Sequence, residues 1–206
     1  GTPKTQSALL EAMQEQQVTV EGQSFALDKP FMVIATQNPL EFEGTYPLPE
    51  AQIDRFLARM SMGYPSPEAE CDMLARRQAR QADAVTLSPV LSKQDFLKIQ
   101  HAIETIHVNP DIHSYIVQIV AKTRADNRVQ LGASPRGSLA LFKLSRSRAM
   151  MQGRDFVTPD DVKAVAVPAL AHRVLLRPEL WAERISGETV VRDALDGVPV
   201  PKAEWR

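Results

Sequence analysis

Apolar residues recur three and four positions apart through most of the second half of this chain, whereas the first sixty residues alternate or run continuously. The opening segment reads as a helix from Pro3 to about Glu15, with Leu9, Ala12 and Met13 on its apolar side. Thr2 can cap it, and Pro3 occupies the first turn, where a missing N–H costs nothing. Val18-Thr19-Val20 and Gln23-Ser24-Phe25-Ala26-Leu27 flank Glu21-Gly22, the pattern of a tight β-hairpin. Residues 31–36, nearly all apolar, predict a strand buried on both faces. Gln37-Asn38 follows, and Pro39 pushes Asn38 out of the α region. In open α/β sheets ligands bind just beyond the carboxyl ends of strands, so the Asn38 carboxamide is a candidate site group. A loop with Gly44, Pro47 and Pro49, a short helix over 50–55 and a second strand over about 56–62 complete this part.

From Ser66 onward the pattern is helical. Ser66-Pro67-Glu68 starts a helix to about Gln81, and Ser92-x-x-Asp95 has the form of a capping box. Asn109-Pro110, Ser134-Pro135 and Thr158-Pro159 start three more, each a capping residue followed by proline. Their apolar sets are Ile112, Tyr115, Ile116, Ile119 and Val120; then Leu139, Leu141, Phe142 and Leu144; then Val162, Val165 and Ala166. A last short helix follows Ser186 and leads to the extended tail Val198-Pro199-Val200-Pro201. No internal repeat or low-complexity segment interrupts the series.

Charge and composition change this picture little. The formal charge of −1 on 206 residues gives no bulk attraction to nucleic acid or anionic lipid. Arg76-Arg77-Arg80 and Arg146-Arg148 read as solvated helix faces. The single cysteine, Cys71, fits a reducing compartment. With no apolar stretch near the roughly 20 residues of a membrane helix, and no signal-peptide pattern, the expectation is a cytoplasmic protein without membrane or nucleic-acid partners.

A search for a phosphate cradle fails. Gly132-x-x-x-x-Gly137 has P-loop glycine spacing, but Ser138-Leu139 stands where Lys-Ser/Thr must follow. The four histidines, His101, His107, His113 and His172, show no metal-ligand spacing, so no metal site is expected. Arg55, at the end of the short helix, suits the helix dipole as a solvated cation. Arg136, in the first turn after Ser134-Pro135, could equally form a salt bridge between domains or face an anion.

A longer order of motifs decides among these readings. Pro3-Lys4-Thr5-Gln6-Ser7-Ala8-Leu9-Leu10-Glu11-Ala12-Met13, then Ala35-Thr36-Gln37-Asn38-Pro39, then Glu43-Gly44-Thr45-Tyr46-Pro47-Leu48-Pro49-Glu50-Ala51-Gln52-Ile53-Asp54-Arg55-Phe56 resemble the MoxR-type AAA+ ATPases. Gly132-Ala133-Ser134-Pro135-Arg136, Thr158-Pro159-Asp160-Asp161-Val162 and His172-Arg173 are similar to motifs of that family's lid. Phe42 departs from the pattern, standing where the family has a polar residue, and the strands of Walker A and Walker B are not among these residues.

The resemblance implies the C-terminal part of such an ATPase: mainly α with a small α/β part, a partial AAA+ core of a hairpin plus two strands, then an all-helical lid. The implied domains are 1–64 for the core part, 65–175 for the lid, and 176–206 for a C-terminal helix and tail. Asn38 is then similar to sensor 1, Arg55 to the arginine finger, and Arg136 to sensor 2, acting within its subunit or across an interface. The hairpin over 17–27 matches the position of a client-facing element in one AAA+ clade. ATP and Mg²⁺ are the implied cofactors of the parent, with neither expected to bind this chain tightly. Other subunits of a homo-oligomeric ring and a client protein are the implied partners. A strand at 31–36 without its sheet neighbours is expected to pair with another copy, to be shielded by the hairpin, or to be poorly ordered. The alternatives are a non-enzymatic helical interaction module and a DNA-remodelling AAA+ relative.

Overall fold

The computed structural model describes residues 3–37, 48–180, 183 and 185–202. Its centre is a helical core running from Ile106 to Val198. Helix α5 (Pro110–Ala125) places Ile112, Tyr115, Ile116, Ile119 and Val120 in the interior, each no more than 3% exposed, as its apolar stripe predicts. Around it pack α6 (Pro135–Met151), α7 (Pro159–Leu170) and α8 (Gly187–Asp196). Helix α6 buries Leu141 and half-buries Phe142 and Leu144, but Leu139 faces solvent. Helix α7 contributes Val162, Ala166, Ala169 and Leu170, and α8 contributes Val190, Val191 and Ala194.

The caps form where the sequence places them. Asn109 accepts from Asp111 N–H (2.9 Å), Ser134 from Arg136 N–H (3.2 Å) and Ser186 from Thr189 N–H (3.2 Å). At α7 the Asp161 carboxylate reaches back to the N–H of Thr158 (2.9 Å). Asp161 is itself gripped by Arg154 at 2.6 and 2.8 Å. Pro168, within the last turn of α7, leaves its carbonyl accepting from Arg59 N–H (2.9 Å), a link from the first part of the chain onto the helical core.

One small sheet has no counterpart in the sequence pattern. Strand β3 (Val129–Leu131) pairs antiparallel with β4 (Leu175–Leu176), tying the α5–α6 connection to the turn after α7. Segments of three and two residues are too short to show a period.

In the first part, α1 (Pro3–Glu15) packs on a hairpin of β1 (Gln17–Val20) and β2 (Gln23–Ala26). Val18 lies opposite Phe25 and Thr19 opposite Ser24, with Gly22 at φ +81° in the turn. Leu10 and Ala12 of α1 are buried, while Leu9 is exposed. Helix α2 (Glu50–Ile53) matches the predicted short helix.

The strands predicted over 31–36 and 56–62 require correction. Both segments lie outside any strand, because neither has a ladder partner among the described residues. Phe31 and Val33 are half-buried while Met32 and Ile34 are 73% and 79% exposed, so the side-chain alternation of a strand persists without its hydrogen bonds. No ladder joins this segment to the hairpin, whose two strands pair only with each other.

Helices α3 (Pro67–Arg80) and α4 (Lys93–Ile103) form as predicted but bury no residue. Just beyond α4, Glu104 accepts from Arg146 of α6 at 2.8 Å, and the Arg146 guanidinium lies 4.3 Å from the centre of the Phe142 ring.

Candidate functional site

Helix α2 ends at Asp54, whose helical backbone turns its side chain toward the helical core. Three donors from two separate elements converge on that carboxylate. Arg173, in the turn that follows α7, donates from Nη1 to Oδ1 at 2.6 Å. Ser134, the cap of α6, lies 3.0 and 3.2 Å from the two oxygens, and Arg136 Nη1 lies 3.4 Å from Oδ2. Ser134 Oγ therefore serves both α6 and Asp54: it accepts from the Arg136 N–H and donates to the carboxylate. Burial raises the Asp54 carboxyl pKa, but the bonds from Arg173, Ser134 and Arg136 outweigh it and hold the group below the ordinary carboxylate value.

Arg173 does more than neutralise Asp54. It also donates to the peptide carbonyl of Asp54, to that of Phe56 (2.7 Å) and, through Nε, to Ala169 of α7 (2.8 Å). The carbonyls on both sides of Arg55 are thus held by one guanidinium whose side chain is only 2% exposed. His172 Nε2 lies 3.1 Å from the same Phe56 carbonyl and must donate to it, so the ring carries its proton there. Burial and the adjacent Arg173 push the His172 pKa below its usual value.

Of the three residues singled out from sequence, Arg136 reaches this carboxylate and Arg55 adjoins it along the backbone. Arg136 sits in the first turn of α6, half-exposed, paired with Asp54. Arg55 directly follows Asp54; its Nη1 donates to Gln14 Oε1 near the end of α1, while its Nε is buried without a partner. Asn38 lies outside the described residues. Sequence reading did not single out Asp54 or Arg173, the two residues that make the junction. Both stand inside the quoted motifs, Asp54 beside Arg55 and Arg173 beside His172, but no role was attached to either.

The described residues suit an anion at Arg136, whose side chain is 51% exposed and whose ion pair with Asp54 is long at 3.4 Å. Among the described residues no group of three or more His, Cys, Asp or Glu could hold a metal ion. Among them, too, no helix is long and apolar enough to cross a membrane.

Comparison with known proteins gives the class. Residues 1–58 match the model of the ATPase family associated with various cellular activities (AAA), and residues 121–194 match that of the AAA lid domain. The chain belongs to the AAA+ ATPases.

Its relatives place it within the MoxR-type branch. It is 50% identical over 200 residues to YeaC of Bacillus subtilis and 41% identical over 208 residues to chaperone MoxR1 of Mycobacterium tuberculosis. It is 31% identical over 222 residues to protein MoxR of Methylorubrum extorquens. Each alignment covers 97% of this chain but only 62%, 54% and 63% of those relatives, respectively. The crystal structure of a candidate ATPase from Cytophaga hutchinsonii superposes with a TM-score of 0.90 at 38% identity, over 98% of this chain and 63% of that one. The mainly helical fold, with a partial AAA+ core and a helical lid, is therefore the fold of this family.

Proposed function

We propose that this chain supplies the sensor and arginine-finger side of a MoxR-type AAA+ ATPase, whose phosphate cradle is contributed by residues other than these 206. In this reading Asn38 positions the attacking water or the γ-phosphate, Arg55 offsets charge on a nucleotide held by a neighbouring subunit, and Arg136 faces phosphate from the lid. The observation that carries it is the Asp54 junction, which fixes the backbone around Arg55 and brings the half-exposed Arg136 to the same carboxylate. A finger acts only if its backbone is held, and a phosphate sensor only if its guanidinium is accessible.

The parent would bind MgATP between subunits of a homo-oligomeric cytoplasmic ring and use hydrolysis to move lid against core. The relative named chaperone MoxR1 supports a protein client for that motion. The isolated 206-residue chain carries no P-loop lysine, so it binds MgATP weakly.

Two measurements test the proposal. Calorimetry on the 206-residue chain should show no micromolar MgATP binding, and micromolar binding would count against it. In the full gene product Arg136→Ala should raise the nucleotide dissociation constant by about tenfold, the order expected for one charge-assisted contact. An unchanged constant would remove Arg136 from the phosphate-facing role.

A further inference from the structure

The three donors on Asp54 are held with very different firmness. Arg173 is 2% exposed and makes further bonds to the carbonyls of Asp54, Phe56 and Ala169, so nothing in solvent can displace it without breaking several contacts at once. Ser134 is fixed by its place as the cap of α6. Arg136 differs from both. Its single bond to Asp54 is long at 3.4 Å, and 51% of its side chain is exposed. An exposed ion pair of this kind contributes about 0–1 kcal/mol, well below what several phosphate oxygens offer one guanidinium.

We propose that Asp54 is a positioning residue whose partner Arg136 leaves it for nucleotide phosphate, so that phosphate at the lid loosens α6 from the segment carrying Arg55. This inference rests on the phosphate-facing role of Arg136 given above. Asp54 shares its backbone with Arg55 and its carboxylate with Arg136, which makes it the shortest covalent and ionic route between the two. With Arg136 withdrawn, Arg173 stays as the pivot and the Ser134 hydroxyl becomes the remaining tie from α6. Occupancy of the phosphate facing the lid would then set how tightly the Arg55 segment is held against α6.

Sodium tripolyphosphate, titrated at constant ionic strength into the 206-residue chain, tests the exchange by NMR. The Arg136 Nε–Hε signal and the Asp54 carboxyl carbon should move together on one binding curve, while the Arg173 Nε–Hε signal stays in place. Asp54→Asn removes the competing carboxylate and should tighten tripolyphosphate binding about two- to fivefold, the equivalent of an exposed ion pair. The same substitution in an Arg136→Ala background should give a clearly smaller gain, which separates competition for Arg136 from general repulsion. Tripolyphosphate that shifts Arg136 while leaving the Asp54 carbon unmoved overturns the exchange but leaves the phosphate-facing role intact. An Arg136→Ala chain that binds tripolyphosphate as well as wild type overturns that role and the exchange with it. Should Asp54→Asn fail to fold, the carboxyl-carbon shift of the wild-type chain decides alone.

Discussion

The Arg173 guanidinium and the Asp54 carboxylate meet at 2.6 Å although 119 residues separate them in the chain. That contact joins the end of α2 to the turn after α7, and the same guanidinium caps the carbonyl of Phe56. Arg173→Met would leave Asp54 without its strongest partner and the Phe56 carbonyl dependent on His172. Loss of one member of a buried, hydrogen-bonded pair costs about 3–5 kcal/mol; the partial exposure of Asp54 places the expected loss near the lower end, about 3 kcal/mol in urea unfolding. Arg173→Lys should recover less than half of it, because an ammonium cannot span the same fork of acceptors.

Acidification should weaken the same junction in two stages. His172 is kept neutral by burial and by Arg173, with Arg59 adding repulsion and the Phe56 carbonyl and Asp54 opposing. Its folded pKa lies below the ordinary 6.5, so the unfolded chain binds more protons between the two values and stability falls as pH drops through that window. Asp54 and Asp161 are held below 3.8, so their contribution is present above that value and is lost as pH falls below it. Urea midpoints of the wild type should therefore decline from about pH 7 toward pH 5, whereas His172→Gln, which can still donate to Phe56, should flatten that decline. Identical slopes for the two proteins would remove His172 as the titrating group.

Gly187 opens α8 directly against the turn after α7. A Cβ there would lie 2.3 Å from the carbonyl oxygen of Ala171, a backbone atom that cannot swing aside. Gly187→Ala should cost about 1–3 kcal/mol as overpacking, and Ile119→Ala, at a fully buried position, about 2–5 kcal/mol. Met73→Ala on the exposed face of α3 should change stability by less than about 0.5 kcal/mol. Thermal or urea unfolding of the three variants checks the ranking.

Local rules account for much of this fold. The helix starts at Ser92, Asn109, Ser134 and Thr158 were legible because a cap side chain and a first-turn proline or acid act within four residues. The buried face of α5 followed from its period alone. Residues 31–36 and 56–62 have strand composition, but a strand is a property of two segments, and no ladder partner lies among the described residues. The β3–β4 pair was invisible for the opposite reason, its partners being too short to show alternation. Arg55 and Arg136 emerged from motif order, whereas Asp54 and Arg173 are linked only by the fold, and no spacing in the chain announces a pair so far apart.

The central claim is that Arg55 acts on a nucleotide held elsewhere while Arg173 and Asp54 hold its backbone in place. ATP turnover by the full gene product, compared between wild type and Arg55→Ala, tests it most directly. The expected result is a fall in turnover of about 10³-fold with nucleotide affinity changed by no more than about threefold, the pattern of a charge met only in the transition state. Turnover retained within about twofold of wild type would contradict it.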